Sequence, residues 1–365
     1  MIRKRRPNFG PTVLVLVITI SFALLVLATN QWDSMVFVRL GTRYGRGDPN
    51  GTIGYDGQFA YQIALAPLQA AQFLDIPAYR YQRVLYPLAA RLTGLGQPAL
   101  IPWMLIVLNI IALTAGVFVM SLILVHNKLS AWYALPVGLF AGQLVSLRLA
   151  VNEPFFLTFA LLGIYAFETN RPRWGAAWFA LSLLSKETAI AFVGGYLFYF
   201  FVTRQWRKLI ETVVISLTPF ALLQLAIWFN FGEIGLRSGG EGATSFSFIP
   251  FGGLLAFGLD KPQTLVVVLT ILGPLILVPC VALIIYLARY FWCGMFSATA
   301  VIVALHILMM ATLPFSTYVD LPGVLRLTSG LVVSTVVFGA TVQSRKMLNY
   351  SMLWIASVVF LRFFI

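Results

Sequence analysis

Apolar residues along this chain collect in long unbroken runs, not in the alternating or three-to-four spacing of a soluble fold. Reading each run of roughly 13 to 25 apolar residues as a membrane-crossing helix gives about eleven spans, at 11–29, 101–125, 131–150, 154–168, 174–186, 188–203, 209–230, 263–288, 295–313, 327–342 and 349–365. The polar connections between them are unequal. Residues 30–100 separate the first two spans and residues 231–262 the seventh and eighth, whereas the remaining connections are short. Loops that long are usually functional. The spacing suggests a core of residues 1–230 that includes the first long loop, followed by a second part, 231–365, made of the other long loop and the C-terminal spans.

Within the first long loop two stretches have helical spacing. In "GQFAYQIALAPLQAAQF", Phe59, Ile63 and Leu65 or Ala66 share a side. In "AYRYQRVLYPLAARL", Tyr81, Val84, Leu85, Leu88 and Leu92 form a stripe that leaves Arg80, Arg83 and Arg91 off it. Both stretches are expected to be helices lying along the membrane interface.

Composition agrees with a membrane setting. The chain has 365 residues, 60% hydrophobic and 10% charged, with a mean hydropathy of +0.89. These values exclude an ordinary soluble domain and imply an all-α polytopic membrane protein. The first run follows "MIRKRR" and has the outline of a signal-peptide core, but Ala28-Thr29-Asn30 is a poor cleavage site, so the run is read as a retained helix.

Charge sets the orientation. Segments 1–10, 126–130, 167–173, 204–211, 287–294 and 343–348 hold 13 basic residues against two acids, a net of +11. The other 12 basic and 10 acidic residues leave +2. The first group is therefore placed inside and the amino terminus in the cytoplasm. The overall excess of +13 sits on short inner loops, where it sets topology and meets anionic lipid, so it implies no nucleic-acid partner. Cys280 and Cys293, near the inner end of one span and in the loop after it, suggest neither a disulfide nor a Cys/His metal site. His126 falls in an inner loop. His306 falls inside a span, where a helix-to-helix hydrogen bond and a functional role both account for it.

The remaining charges gather on the outer side: Asp56 in "GYDGQFAYQIA", Arg80 and Arg83 in "YRYQR", Arg148, Asn152 and Glu153 in "RLAVNEP", Lys186 and Glu187 in "LSKET", Arg237 and Glu241 in "GLRSGGEG", and Asp320 and Arg326 in "VDLPGVLR". Each has a plain structural reading. Asn152-Glu153-Pro154 makes a good helix start, Lys186 and Glu187 can neutralise each other, arginines can reach up to lipid phosphate, and Asp56 between glycines can be a turn residue. Their shared face is what favours a common outward-facing polar cleft, because charges at tight membrane hairpins need partners or water.

A cytoplasmic amino terminus, one span, and a long outer loop with an early Asp followed by an aromatic-rich interface helix resemble the GT-C superfamily of membrane glycosyltransferases. "GYDGQFAYQIA" with "AYRYQRVLYPLAARL" is similar to the corresponding loop of bacterial membrane proteins of cell-surface glycopolymer formation, and more distantly to mannosyltransferases of glycolipid-anchor assembly. "LSKETAI" resembles a recurring GT-C feature, and the likeness is strongest over residues 1–200 and thin beyond them. It implies a multi-pass protein of the bacterial inner membrane. Its expected activity is transfer of a sugar from a polyprenyl-phosphate donor to a glycan or glycolipid acceptor on the outer face, with inversion. Many GT-C loops carry two adjacent acids, whereas the nearest acid to Asp56 is Asp48, so no metal cofactor is expected there.

Such a transfer needs a base on the acceptor hydroxyl and positive charge on the departing phosphate. Asp56 is the expected base. Arg80, Arg83, Lys186, Arg237 and Arg326 are the expected phosphate ligands, since a guanidinium stays charged and can hold two oxygens. Tyr55, Gln58, Tyr61, Gln82, Asn152, Glu153 and Glu187 are expected to contact substrate. The competing readings are a transporter or flippase of lipid-linked sugars and a non-catalytic assembly protein. A passage would place ionisable groups through the bilayer, whereas here they collect at one surface.

Overall fold

The computed structural model describes residues 8–260 and 262–364; Arg3, Lys4, Arg5 and Arg6 of the basic amino-terminal segment and the last residue of the final expected span lie outside them. The described residues are 76% helical and include no strand. Among the described residues five helices are long and apolar enough to cross a membrane: Gly10–Thr29, Ile101–His126, Trp206–Phe231, Pro262–Trp292 and Leu321–Thr341. The other expected spans correspond to shorter helical segments.

Two of the long helices contain a π turn where proline interrupts the ladder. Pro219 and Pro279 lack the N–H that would bond four residues back, and Val213–Leu217 and Gly273–Leu277 slip into π geometry just before them. The expected span 131–150 is broken into Ala131–Ala134, Leu135–Leu139 and Ala141–Arg148. Phe140 is extended (ψ 135°) at the break, and the Ala141 N–H finds the Ser357 hydroxyl at 2.9 Å. A broken helix at membrane depth is tolerated because such protein partners take up its freed polar groups.

Leu321–Thr341 is the central helix: 78% of its apolar window is buried, against 28% for Trp206–Phe231 at the periphery. It packs on Ala141–Arg148 and on Ala298–Thr312. A side chain at Gly142 would run into the Leu325 carbonyl, so the two backbones meet through that glycine. Glu153–Glu168 lies between Ile101–His126 and Pro172–Ser185, and the Thr158 hydroxyl donates to the Ala112 carbonyl at 2.6 Å.

The first long loop departs from the sequence expectation in register. Gly57–Leu65 does bury Phe59 and Ile63, which join Ala70 and Leu74 in a small satellite core. The second stretch, however, is two helices, Pro77–Tyr81 and Leu85–Thr93. The turn between them rotates the face: Tyr86, Pro87 and Ala90 are buried while Leu92 is 74% exposed. Arg80, expected off the apolar stripe and outside, is buried. The second long loop folds over the first, where the Glu241 N–H donates to Asp75 and Arg43 pairs with Glu241 at 2.6 Å.

Candidate active site

Asp56 stands between two glycines for two separate reasons. Gly54 has φ +73°, a left-handed conformation that glycine adopts without strain, and a side chain at Gly57 would strike the Leu149 carbonyl. The loop is then pinned from outside the site. Tyr55 N–H donates to the Arg39 carbonyl at 3.0 Å, and Gln58 accepts from the Gly41 N–H at 3.0 Å and donates to the Ile53 carbonyl at 2.7 Å. Asp56 occupies the N-cap position of Gly57–Leu65 without making a side-chain cap. Its carboxylate is turned away from the helix toward two arginines, which a turn-only role does not explain.

Those contacts open a continuous chain of charge. Arg80 Nη1 lies 2.9 Å from Asp56 Oδ1, and Arg326 Nη1 lies 3.0 Å from Asp56 Oδ2. Arg80 also grips Asp75 through Nε and Nη2, each at 2.7 Å. Arg326 Nε reaches Glu153 Oε1 at 2.8 Å, and the same oxygen accepts from Lys186. The order is therefore Asp75, Arg80, Asp56, Arg326, Glu153, Lys186, with signs alternating throughout. Beside it Arg83 forms a two-point pair with Glu187, at 2.8 and 2.5 Å, and meets the Tyr79 hydroxyl. Lys186 and Glu187 thus do not neutralise each other; each pairs with a different partner.

Aromatic faces support the arginines. The Arg80 guanidinium sits 4.1 Å from the Phe59 ring centroid and that of Arg83 4.3 Å from Tyr79. The Tyr55 hydroxyl donates to Asp320 at 2.8 Å and accepts from Arg326 at 3.0 Å. Burial alone would raise the Asp56 pKa, but Arg80 and Arg326 hold its carboxyl well below the usual carboxylate range. Asp75 is likewise held low against burial by the Arg80 hydrogen bonds. Asp320, capping Leu321–Thr341 through the Gly323 N–H, is instead pushed up by burial.

Asp56, Arg80, Arg83, Tyr86, Asn152 and Arg326 line a cavity of 30 Å³. That is room for one or two waters and not for a sugar. Asp56 is the accessible member of the chain, with 29% of its side chain exposed against 1% for Glu153. Glu153 Oε2, deeper, has no hydrogen-bond partner among the described residues.

The structure therefore brings together Asp56, Tyr55, Arg80, Arg83, Asn152, Glu153, Lys186, Glu187 and Arg326. Four of the expected residues lie elsewhere. Gln58 spends its amide on the loop, as above. Gln82 is buried against Gln224 of the Trp206–Phe231 helix, Tyr61 packs half-buried on the main core, and Arg237 is exposed on the second long loop. Asn152 reaches the cavity, but its Nδ2 donates to the Ser185 carbonyl and ties the two charged hairpins together. Asp75 and Tyr86 were not singled out from the sequence. The available signal for Asp75 was its place five residues before Arg80, just ahead of the Pro77 helix start. Among the described residues no three His, Cys, Asp or Glu side chains come together to hold a metal ion.

No family model and no curated protein sequence matches the chain. A search of solved structures finds ArnT from Cupriavidus metallidurans, bound to undecaprenyl phosphate, at a TM-score of 0.52 and 14% identity over 96% of this chain. In fold, the chain is similar to ArnT. The likeness covers 96% of this chain, so it runs through the C-terminal helices as well as the first long loop. The match spans 64% of ArnT's own length. At this identity the likeness to ArnT is one of fold.

Proposed function

We propose that the protein is a membrane glycosyltransferase that moves a sugar from a polyprenyl-phosphate donor to a cell-surface glycan or glycolipid acceptor on the outer face of a bacterial inner membrane. The observation that carries this reading is the partly exposed Asp56 carboxylate clasped between Arg80 and Arg326 in the lining of the cavity. The solved ArnT fold with undecaprenyl phosphate bound supports a lipid-phosphate substrate for such a fold.

In this reading the acceptor oxygen attacks the anomeric carbon while its proton passes to Asp56. The bond from that carbon to the phosphate oxygen breaks, its electron pair stays on the polyprenyl phosphate, and the configuration inverts. The arginines steady the charge that develops on the phosphate. A carboxylate held by two guanidiniums is a weak base, so the resting network must change when donor arrives. The donor phosphate competes with Asp56 for Arg80 and Arg326, and each contact it takes raises the basicity of Asp56. Exchange of one anion for another also opens the cavity without stranding an arginine. No step calls for a metal ion.

The test is a transfer assay on purified protein with a panel of polyprenyl-phosphate sugars, run with and without a chelator. Transfer from at least one donor, unaffected by the chelator, is expected. No transfer from any, together with passage of lipid-linked sugar across reconstituted vesicles, would replace this reading with a flippase.

A further inference from the structure

Pro172–Ser185 carries Lys186 of the charge chain at one end. At its other end, about 21 Å away by helix rise, lies a groove of 600 Å³ lined by Arg171, Arg173, Trp174, Arg207, Lys208 and Glu211. Two adjacent helices, Pro172–Ser185 and Trp206–Phe231, both start here. Neither start has a side-chain cap or an acid in its first turn. Both therefore turn free N–H groups and the positive end of a helix dipole toward the groove.

The basic side chains are organised as well as numerous. Glu211 accepts from Arg173 Nη2 and Arg207 Nε, each at 3.2 Å, and so holds two guanidiniums side by side. One acid among four basic residues leaves a net charge of +3 on the groove. Arg171 and Lys208 make no ion pair among the described residues. Trp174 and Trp206 are 65% and 51% exposed, amphipathic rings of the kind that settle at head-group depth.

We infer that this groove binds the phosphate-bearing head group of an anionic phospholipid from the leaflet on the face opposite the charge chain, with the lipid tails running beside Trp174 and Trp206. A general basic field, such as any short inner loop provides, needs neither a groove nor a carboxylate that aligns two arginines. A soluble phosphate would have no use for two exposed indoles. The inference is independent of the proposed transferase activity.

Native mass spectrometry of the full-length protein, released from vesicles of phosphatidylcholine with a minor fraction of phosphatidylglycerol, tests it. The parent should retain phosphatidylglycerol in preference to phosphatidylcholine. Arg171→Gln/Lys208→Gln, which removes two cations outside the Glu211 pairs, should reduce that preference by about tenfold, the scale of one charge-assisted hydrogen bond. Lys128→Gln/Arg345→Gln removes the same charge from the same face outside the groove and should leave the preference within about twofold. Thermal midpoints close to the parent's confirm that both variants are folded; should the groove variant unfold, Trp174→Phe read by quenching from brominated phosphatidylglycerol takes its place, with a lost quenching component expected. An equal fall in both double variants, no preference in the parent, an unchanged quenching signal in Trp174→Phe, or displacement of the lipid by inorganic phosphate would each overturn the inference.

Discussion

Arg326 reaches Asp56 across 270 positions of sequence, with Nη1 3.0 Å from Oδ2, and joins the C-terminal helices to the first long loop. Through Nε it also holds Glu153, so one guanidinium connects an accessible carboxylate with a buried one. The expected consequences are specific to each member of the chain.

Asp56→Asn keeps the size of the side chain but cannot take a proton. Arg80 retains Asp75 and Arg326 retains Glu153, so insertion and folding should be normal. Transfer should fall by about 10² to 10⁴, the range for loss of a general base. A folded Asn variant with more than about a tenth of parental activity would remove Asp56 from that role and bring forward Glu153, whose Oε2 is unpartnered among the described residues.

Arg80→Ala should weaken donor use by about 1.5 to 3 kcal/mol, the scale of a hydrogen bond to a charged group, read as kcat/KM for the donor. Arg83→Ala should act in the same direction, and Lys at either position should restore only part of the loss, because one ammonium cannot replace a two-point grip. Arg237→Ala, at an exposed position, should stay within about 0.5 kcal/mol of the parent. Donor kinetics unmoved by both alanine changes would take these arginines out of phosphate binding.

Arg326→Met should be costly in stability as well as in activity. It leaves Glu153, wholly buried, with Lys186 as its remaining cation, and breaking a buried pair costs about 3 to 5 kcal/mol. Thermal unfolding in detergent should show a large drop for Arg326→Met and a small one for Asp56→Asn. Equal midpoints would mean that the chain of pairs does not behave as a buried unit.

The low pKa values of Asp56 and Asp75 fix a sign for pH dependence. A folded value below the ordinary ~3.9 of an aspartate stabilises the fold fully above that value, and the stabilisation is lost as pH falls through the lower, folded value. Proteolytic resistance of the first long loop should accordingly persist at pH 5 and fail only below about pH 4. Donor binding, by drawing arginine from Asp56, should raise its pKa in the complex. The acid limb of kcat should therefore lie at higher pH than that of kcat/KM, since the first reports the complex and the second the free enzyme. Coincident limbs would contradict the exchange of partners.

The helical architecture was legible because apolar runs and proline positions act locally. Asp56, Glu153, Lys186 and Arg326 were legible as neighbours because span counting put them on one face. What could not be read was pairing at the level of single atoms. Gln58 and Gln82 looked like substrate ligands because polar groups beside Asp56 and Arg80 suggest function, yet one is spent on the Gly41 and Ile53 backbone and the other on Gln224. The stripe through Leu92 failed because a single turn after Tyr81 rotates every later residue. Asp75 was hidden because its significance depends on Arg80 turning inward, which no local pattern dictates.

The alternation of charge along Asp75, Arg80, Asp56, Arg326, Glu153 and Lys186 also bears on the order in which the molecule is built. Glu153 and Lys186 are 33 residues apart and belong to neighbouring hairpins, so they can enter the bilayer as a neutral pair early in synthesis. Arg326 emerges 173 residues after Glu153. Until it arrives, the first-loop charges Asp75, Arg80 and Asp56 are tied to the hairpin that carries Lys186 through the Arg83–Glu187 pair, while Glu153 has Lys186 as its cation. The last helices therefore act as a closing clasp: a chain cut short before Arg326 leaves Asp75 and Asp56 to share Arg80 alone, one negative charge in excess, and leaves Glu153 without its second cation.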